Sequence, residues 1–260
     1  MTEQDYLYIC VVESENAAPM MEEQSNPTES DFKTNSNFLD GGQDVNVTTI
    51  LTQMPISYNE IPFLRGAIIK IAGASDELFH DHRGSGFRYS YPLIQYKIID
   101  GNAAIIAVND GIRVAKMILP FMNSRIQIGH RTSDFILEDI TSSTTSVSVS
   151  SETHTYLASR WLPLNQDNYI IYNELDDMTQ KINMLERLLI GNILSFAKGI
   201  GIFLNSTVYA SIVDVKATRQ FKYKNVMMLG FDIIFKTNVT LPSNIGLGKG
   251  VSLGFGTITE

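Results

Sequence analysis

The sequence predicts an α+β protein in which two halves repeat a similar order of strands and helices. Apolar runs rich in β-branched and aromatic residues, typical of strands, alternate with stretches where apolar residues recur every three or four positions, typical of helices. The 260 residues are 44% hydrophobic and 18% charged, as in an ordinary soluble protein with one large or two small domains. No apolar run reaches the 18 residues that a membrane helix needs, so no membrane partner is expected.

In the first half, the signals follow the order β-α-β-β-α. The predicted elements are a strand at 45–56, a helix at 61–72, strands at 87–99 and 103–108, a helix at 112–122 and a last strand within 126–140. The turn sequence Asp100-Gly101-Asn102 predicts that the two middle strands form a hairpin. With its last strand, this order would complete a ferredoxin-like (RRM-like) domain over residues 45–140.

A Ser/Thr-rich run at 141–155 separates the two halves. Its composition favours a linker, although its alternating Ser and Val residues leave an exposed strand as the alternative. The second domain, 156–260, again has a strand, a helix and further strands. The predicted elements are a strand at 156–164, a helix at 175–198, strands at 207–218 and 226–237, and a short strand at 255–259. Gly199 stands where a helix C-cap is expected.

The C-terminal stretch 242–260 is rich in glycine. Its glycines are Gly246, Gly248, Gly250, Gly254 and Gly256, with Lys249 among them. Because glycine lets backbone N–H groups approach an anion closely, the stretch predicts a cradle for phosphate groups. A terminal hairpin whose glycines only permit turns is the alternative. The spacing fits neither the Walker loop nor the dinucleotide fingerprint, because Lys249 is followed by glycine and no helix pattern follows.

The net charge of −8 is unevenly distributed along the chain. Residues 1–44 contain ten acids and one lysine, whereas the remaining residues contain 18 acids and 19 bases. The acidity therefore belongs to a polar N-terminal appendage, 1–44, which is expected to be partly flexible. The nearly neutral remainder leaves room for a local basic face that binds a polyanion. The single cysteine, Cys10, cannot form an internal disulfide, which fits a reducing cytoplasm.

Two stretches, taken together, resemble a known family. They are DELFHDHRGSGFRYSYPLIQYK at 76–97, and LLIGNILSFAKGIGIFL at 188–204 leading into LPSNIGLGKGVSLGFGTI at 241–258. The combination is similar to the CRISPR-associated endoribonucleases that process precursor crRNA, in the Bacteroidetes-type branch of the repeat-associated (RAMP) superfamily. The resemblance covers most of residues 61–258 and implies two tandem ferredoxin-like domains with a C-terminal glycine-rich loop.

The resemblance also implies a reaction and its partners. CRISPR repeat RNA would be cut without a metal or other cofactor, by attack of its own 2′-hydroxyl, leaving a 2′,3′-cyclic phosphate and a 5′-hydroxyl. Subunits of a CRISPR effector complex and a second copy of the chain are left open as further partners. A non-catalytic relative that holds crRNA in a larger complex is the alternative function, and a structural protein without an RNA partner is another.

His80 and His82 are the predicted catalytic residues, since in the family a histidine near the end of the first helix is the usual catalyst. Imidazole titrates near neutral pH and can act as base or acid. Residues two apart point in opposite directions on a strand, so one of the two is expected to reach the scissile phosphate. A pair of surface histidines is the alternative, and a metal site would need further ligands.

A second set of residues is predicted to bind RNA through basic side chains and the glycine-rich backbone. These residues are Arg83, Arg88, Lys97, Lys222, Lys224, Gly246, Gly248, Lys249, Gly250, Ser252, Gly254 and Gly256. Lys222 and Lys224 are expected on a hairpin of the second domain, with ordinary solvated lysines as the alternative. Leu253 stands where many relatives carry a basic residue, which predicts a weaker phosphate contact there.

Overall fold

The computed structural model of the chain describes residues 42–72 and 91–260, which belong to one compact unit, Gly41–Glu260. His80, His82, Arg83 and Arg88 lie outside the described residues, as does almost all of the acidic appendage. None of the described helices combines the length and the apolar composition that crossing a bilayer requires.

The first domain is built on an antiparallel sheet of four strands. Its elements are β1 Gln43–Pro55, a 3-10 turn Tyr58–Glu60, α1 Ile61–Ala72, β2 Ile94–Ile99, β3 Asn102–Val108, α2 Gly111–Ala115, a 3-10 turn Lys116–Phe121, β4 Ser124–Ile128, β5 Arg131–Phe135 and β6 Leu137–Val147. The sheet order is β2-β3-β1-β6, and β4 and β5 form a separate hairpin. This order confirms the predicted ferredoxin-like domain. The β2–β3 turn has positive φ at Asp100 (49°) and Gly101 (82°), as the predicted hairpin requires.

Two predicted elements of this domain differ in the structure. The predicted helix at 112–122 is a five-residue α-helix that continues as a 3-10 turn containing Pro120. Proline has no N–H group to donate to a helical hydrogen bond, so a longer α-helix is interrupted there. Within the described residues of the predicted strand at 87–99, pairing begins at Ile94, because Pro92 cannot donate to a ladder.

The second domain repeats the same topology. Its elements are β7 Val149–Trp161, α3 Gln166–Glu174, α4 Met178–Gly199, β8 Ala210–Tyr223, β9 Val226–Val239, a 3-10 turn Val251–Leu253 and β10 Thr257–Thr259. The antiparallel order is β10-β7-β9-β8, which makes this a second ferredoxin-like domain. Between β9 and β10, where this fold places its second helix, the chain has the glycine-rich loop and one short 3-10 turn. The loop therefore takes the place of a helix.

The Ser/Thr-rich run is strand in the structure, the second of the two alternatives. Residues 141–147 belong to β6 and residues 149–155 to β7. β6 is an edge strand paired with β1, so its polar side chains face solvent or bond across the pair, as in the 2.9 Å contact between the Thr48 and Ser142 hydroxyls. Pairing with β1 overrides the weak strand preference of serine.

The first sheet is covered on both of its faces. Val45 and Val47 of β1 belong to the hydrophobic core of the second domain, together with Trp161. Ile50 of β1 packs in a separate cluster with Leu64 of α1. Because alternate residues of a strand point to opposite faces, β1 connects α1 on one side to the second domain on the other. The two domains thus share a hydrophobic core.

Candidate nucleic-acid interface

The β8–β9 hairpin places two of the predicted RNA-binding lysines at one end of the second domain. Tyr223 pairs with Val226, and the two turn residues, Lys224 and Asn225, both have positive φ (44° and 64°). This is the geometry of a tight type I′ hairpin turn. Lys222 is exposed just before the turn, and the amino group of Lys224 lies 5.9 Å from the centre of the Tyr223 ring.

Phe255 joins this hairpin tip to the glycine-rich loop. Its ring meets Tyr223 and Phe221 edge-on, with centroid separations of 5.7 and 6.0 Å. A Cβ atom added at Gly250 would come within 2.9 Å of the Tyr223 ring. The hairpin tip and the Lys249–Gly250 part of the loop therefore lie side by side. Lys222 lies between Phe221 and Tyr223 in β8, so its side chain points to the opposite face of the strand from their rings.

The glycines of the loop are required by packing inside the protein. Gly248 has a φ of 85°, and a Cβ atom there would lie 3.0 Å from Trp161 Nε1 and 3.1 Å from Asn192 Oδ1, which are hydrogen-bonded to each other. At Gly256, with a φ of 62°, a Cβ atom would overlap the Leu247 carbonyl oxygen. Both positions therefore exclude a side chain without any ligand being present.

The loop residues predicted to bind RNA divide into a buried and a partly exposed group. The buried residues are Gly246, Gly254 and Gly256, and the partly exposed ones are Gly248, Lys249, Gly250 and Ser252. Leu253, at the predicted basic position, packs against apolar residues of both domains. The part of the loop open to a ligand is thus the turn around Lys249.

The same loop also contacts the first domain. A Cβ atom at Gly254 would come within 2.7 Å of Ile61, the first residue of α1, and 3.3 Å of the Tyr96 carbonyl oxygen on β2. The 3-10 turn of the loop lies against β2 and α1. The glycine-rich loop is therefore held between the two domains, along what we call the domain seam: Tyr58, Ile61, Tyr96 and Lys97 on one side and residues 245–256 on the other.

Lys97 is buried under this loop, with 1% of its surface exposed. Its Nζ lies 3.5 Å from the Phe255 carbonyl oxygen, and burial lowers its pKa to about 7. This position does not support the predicted direct contact of Lys97 with RNA. Residues 94–97 of β2 are all buried because both faces of the sheet are covered, which the basic and aromatic composition of the stretch did not indicate.

Tyr91, which follows the segment with His80, His82, Arg83 and Arg88 in the sequence, is hydrogen-bonded to the glycine-rich loop. Its hydroxyl donates to the Gly246 carbonyl oxygen (2.9 Å) and accepts hydrogen bonds from Gln95 Nε2 (2.8 Å) and the Gly246 N–H (3.2 Å). Burial raises the pKa of Tyr91, which keeps the hydroxyl a donor. Its ring packs edge-on against Phe196, 5.0 Å away, and a Cβ atom at Gly199 would overlap its side chain. Gly199, expected as a helix cap, thus makes room for Tyr91.

Sequence reasoning missed Arg160, which lies at the same seam. It sits at an irregularity of β7 with a φ of 53°. Its N–H donates to the Asp232 carboxylate (2.6 Å), and its carbonyl oxygen accepts from the Gly256 N–H (3.1 Å). A charged residue next to the buried Trp161 in an apolar strand was the available signal.

The start of α1 is fixed by an ion pair from the β4–β5 hairpin. Arg131 bonds the Glu60 carboxylate, which also accepts from the Ser57 N–H and hydroxyl. These bonds lower the pKa of Glu60 to about 2.

Among residues 42–72 and 91–260, no cluster of three or more His, Cys, Asp and Glu side chains is arranged to hold a metal ion.

Comparison with known proteins identifies both domains. Residues 43–146 match the Cas6b N-terminal domain family, and residues 148–260 match the Cas6b C-terminal domain family. A crystal structure of Cas6b is 29% identical, with a TM-score of 0.76, over 84% of this chain and 100% of that one. A crystal structure of a CRISPR RNA processing endoribonuclease, Cas6b, is 26% identical, with a TM-score of 0.65, over 84% and 99%. An uncharacterized protein of Methanocaldococcus jannaschii is 36% identical over 100 residues, 38% of this chain and 67% of that protein.

Proposed function

The chain belongs to the Cas6b family, and we propose that it is a metal-independent endoribonuclease that cleaves CRISPR repeat RNA to mature crRNA. The observation that carries this proposal is the glycine-rich loop held at the domain seam. Lys249 lies in the partly exposed turn of this loop, beside the β8–β9 hairpin tip. Tyr91, which follows the segment with His80 and His82 in the sequence, is hydrogen-bonded to Gly246 of the loop.

In the proposed reaction, the 2′-hydroxyl of the RNA loses its proton to a base and attacks the adjacent phosphorus. A bond from O2′ to phosphorus forms, and the bond from phosphorus to the leaving O5′ breaks. An acid then protonates O5′. The products are a 2′,3′-cyclic phosphate and a 5′-hydroxyl. His80 or His82 would serve as base, acid or both, because imidazole exchanges protons near neutral pH.

RNA binding would combine side-chain and backbone donors along the seam. The turn around Lys249 and the hairpin lysines Lys222 and Lys224 would contact phosphates, with Arg83 and Arg88 adding charge from the histidine-bearing segment. Lys97, buried beneath the loop, would not contact the RNA directly. Subunits of an effector complex and a second copy of the chain stay predictions.

We expect cleavage of repeat RNA by the full-length protein to proceed in EDTA and to depend on one of the two histidines. Removing a general acid or base typically costs about 10² to 10⁴ in rate. One of His80→Ala and His82→Ala should therefore slow single-turnover cleavage by that order while the Kd for RNA stays nearly constant. His130→Ala, at an exposed position, is the matched control and should cut at the wild-type rate.

The substrate provides a second arm of the same experiment. Replacing the attacking 2′-hydroxyl by hydrogen should abolish cleavage and leave binding intact. Cleavage of this deoxy substrate, or a strict need for a divalent metal, would contradict the mechanism. Full activity of the His80→Ala, His82→Ala double variant would remove both residues from the chemistry, and binding without cleavage by the wild type would favour the non-catalytic alternative.

A further inference from the structure

Arg160 carries a guanidinium group held among aromatic rings of both domains. The guanidinium carbon lies 3.6 Å from the centre of the Tyr58 ring of the first domain, and 4.3 and 4.9 Å from the Phe221 and Phe255 rings of the second. Phe255 belongs to the glycine-rich loop, and the Arg160 backbone is tied to Gly256. The cation is thus held in place beside the loop before any ligand binds.

The guanidinium group has no hydrogen-bond acceptor among the described residues. Arg160 Nε is buried without a hydrogen-bond partner, while the residue as a whole is partly exposed. The nearby Asp232 carboxylate accepts the Arg160 backbone N–H and lies 3.7 Å from Arg219. Its negative charge also favours the charged form of Arg160, although the two side chains are too far apart for a salt bridge. Aromatic faces attract the positive charge but leave the N–H donors unused.

We propose that Arg160 binds a phosphate of the RNA at the domain seam, next to the glycine-rich loop. This inference rests on the proposed function. A guanidinium group offers a planar pair of donors that matches two phosphate oxygens, and stacking on rings fixes its orientation. In a partly buried site such a charge-assisted contact is stronger than at an open surface. The phosphate supplies the acceptor that residues 42–72 and 91–260 do not.

The competing explanation is that Arg160 only joins the two domains by packing against Tyr58, Phe221 and Phe255. The two explanations differ in the salt dependence of RNA binding. Each phosphate contact to single-stranded nucleic acid contributes about 0.7 to the slope of log K against log salt. A residue that only holds the domains together changes the melting temperature without changing this slope.

The experiment uses the full-length protein and repeat RNA with the attacking 2′-hydroxyl replaced by hydrogen. Kd is measured from 50 to 300 mM KCl for the wild type, Arg160→Met, Arg160→Lys and Arg125→Met, together with melting temperatures. Arg125 is the matched control, since its side chain is 72% exposed and pairs with Asp134 on the β4–β5 hairpin.

We expect Arg160→Met to bind about tenfold more weakly at 50 mM KCl, with the slope smaller by about 0.7. Arg160→Lys keeps the charge and should keep the slope while losing affinity several-fold, because it lacks the paired donors. Arg125→Met should match the wild type in both quantities.

Wild-type affinity and slope in a folded Arg160→Met variant, with a lowered melting temperature, would overturn the inference and leave the proposed function standing. If Arg160→Met does not fold, the Kd of Arg160→Lys for repeat RNA tests the inference instead. Wild-type affinity in that variant would overturn the inference. A wild-type protein that binds repeat RNA no better than an unrelated RNA would overturn the proposed function itself, and this inference with it.

Discussion

The amino group of Lys97 is buried at the domain seam. Its Nζ has a weak contact with the Phe255 carbonyl oxygen, and burial lowers its pKa from 10.5 to about 7. Between pH 7 and 10.5, the Lys97 amino group is therefore protonated in the unfolded chain and deprotonated in the folded chain. Because the unfolded state binds more protons there, the free energy of unfolding rises with pH across this window. Below pH 7 both states are protonated, and the destabilisation by Lys97 is constant.

We expect Lys97→Met to stabilise the protein more at neutral pH and below than at pH 10. Each pKa unit corresponds to about 1.4 kcal/mol, so the gain should be about 2 to 4 kcal/mol at pH 7 and below about 1 kcal/mol at pH 10. Urea denaturation at the two pH values measures this difference. Lys236→Met, at an exposed position, should change stability equally at both. An equal loss of stability at both pH values in Lys97→Met would mean that the amino group supports the loop.

At the scale of an element, the glycine-rich loop has one face for packing and one for a ligand. Gly248 lies against Trp161 and Asn192, whereas Lys249 next to it has a partly exposed side chain. Neighbouring positions of one turn therefore have different roles. The sequence predicts that both positions belong to a single phosphate cradle. One substitution at each position separates the packing role from the ligand-binding role.

We expect Gly248→Val and Lys249→Ala to fail in different assays. The valine needs a φ of 85°, and its Cβ would lie 3.0 Å from Trp161 Nε1 and 3.1 Å from Asn192 Oδ1, which forces these side chains to shift. It should therefore lower the free energy of unfolding by about 2 kcal/mol or more. Lys249→Ala should leave stability within about 0.5 kcal/mol and reduce the salt slope of RNA binding by about one phosphate contact. Thermal melts and titrations with repeat RNA measure the two effects. A stable Gly248→Val variant with lost RNA affinity would show that the backbone there approaches the RNA.

At the scale of the whole molecule, local patterns predict the elements, and tertiary packing decides how they are used. The Asp100-Gly101 hairpin and the periodicity of α4 are encoded within a few residues, so both could be read from the sequence. The burial of Lys97 and the ring contacts of Arg160 depend on residues more than 50 positions apart. A local pattern does not determine which distant residues surround a side chain. The sequence therefore places Lys97 on the RNA surface, and it marks Arg160 only as a charged residue beside Trp161.

The division of charge between the appendage and the folded unit leads to the last prediction. Residues 1–40 hold nine acids and one lysine, so the remaining 220 residues hold 19 acids and 19 bases and are neutral overall. The structure moves the boundary from residue 44, since Gln43 and Asp44 already pair with Val147 and Ser146 of β6. A truncated protein of residues 41–260 keeps this pairing whole.

We expect the 41–260 protein to fold and to cleave repeat RNA, with equal or higher affinity than the full chain. Removing a net charge of −8 reduces the repulsion of a polyanion, and the gain should shrink between 50 and 300 mM KCl as salt screens the charge. A full-length variant with the nine acids of residues 1–40 changed to Asn or Gln is the matched control, because it makes the same charge change without deletion. If that variant binds like the wild type while the folded 41–260 protein loses RNA binding, then residues 1–40 belong to the binding site.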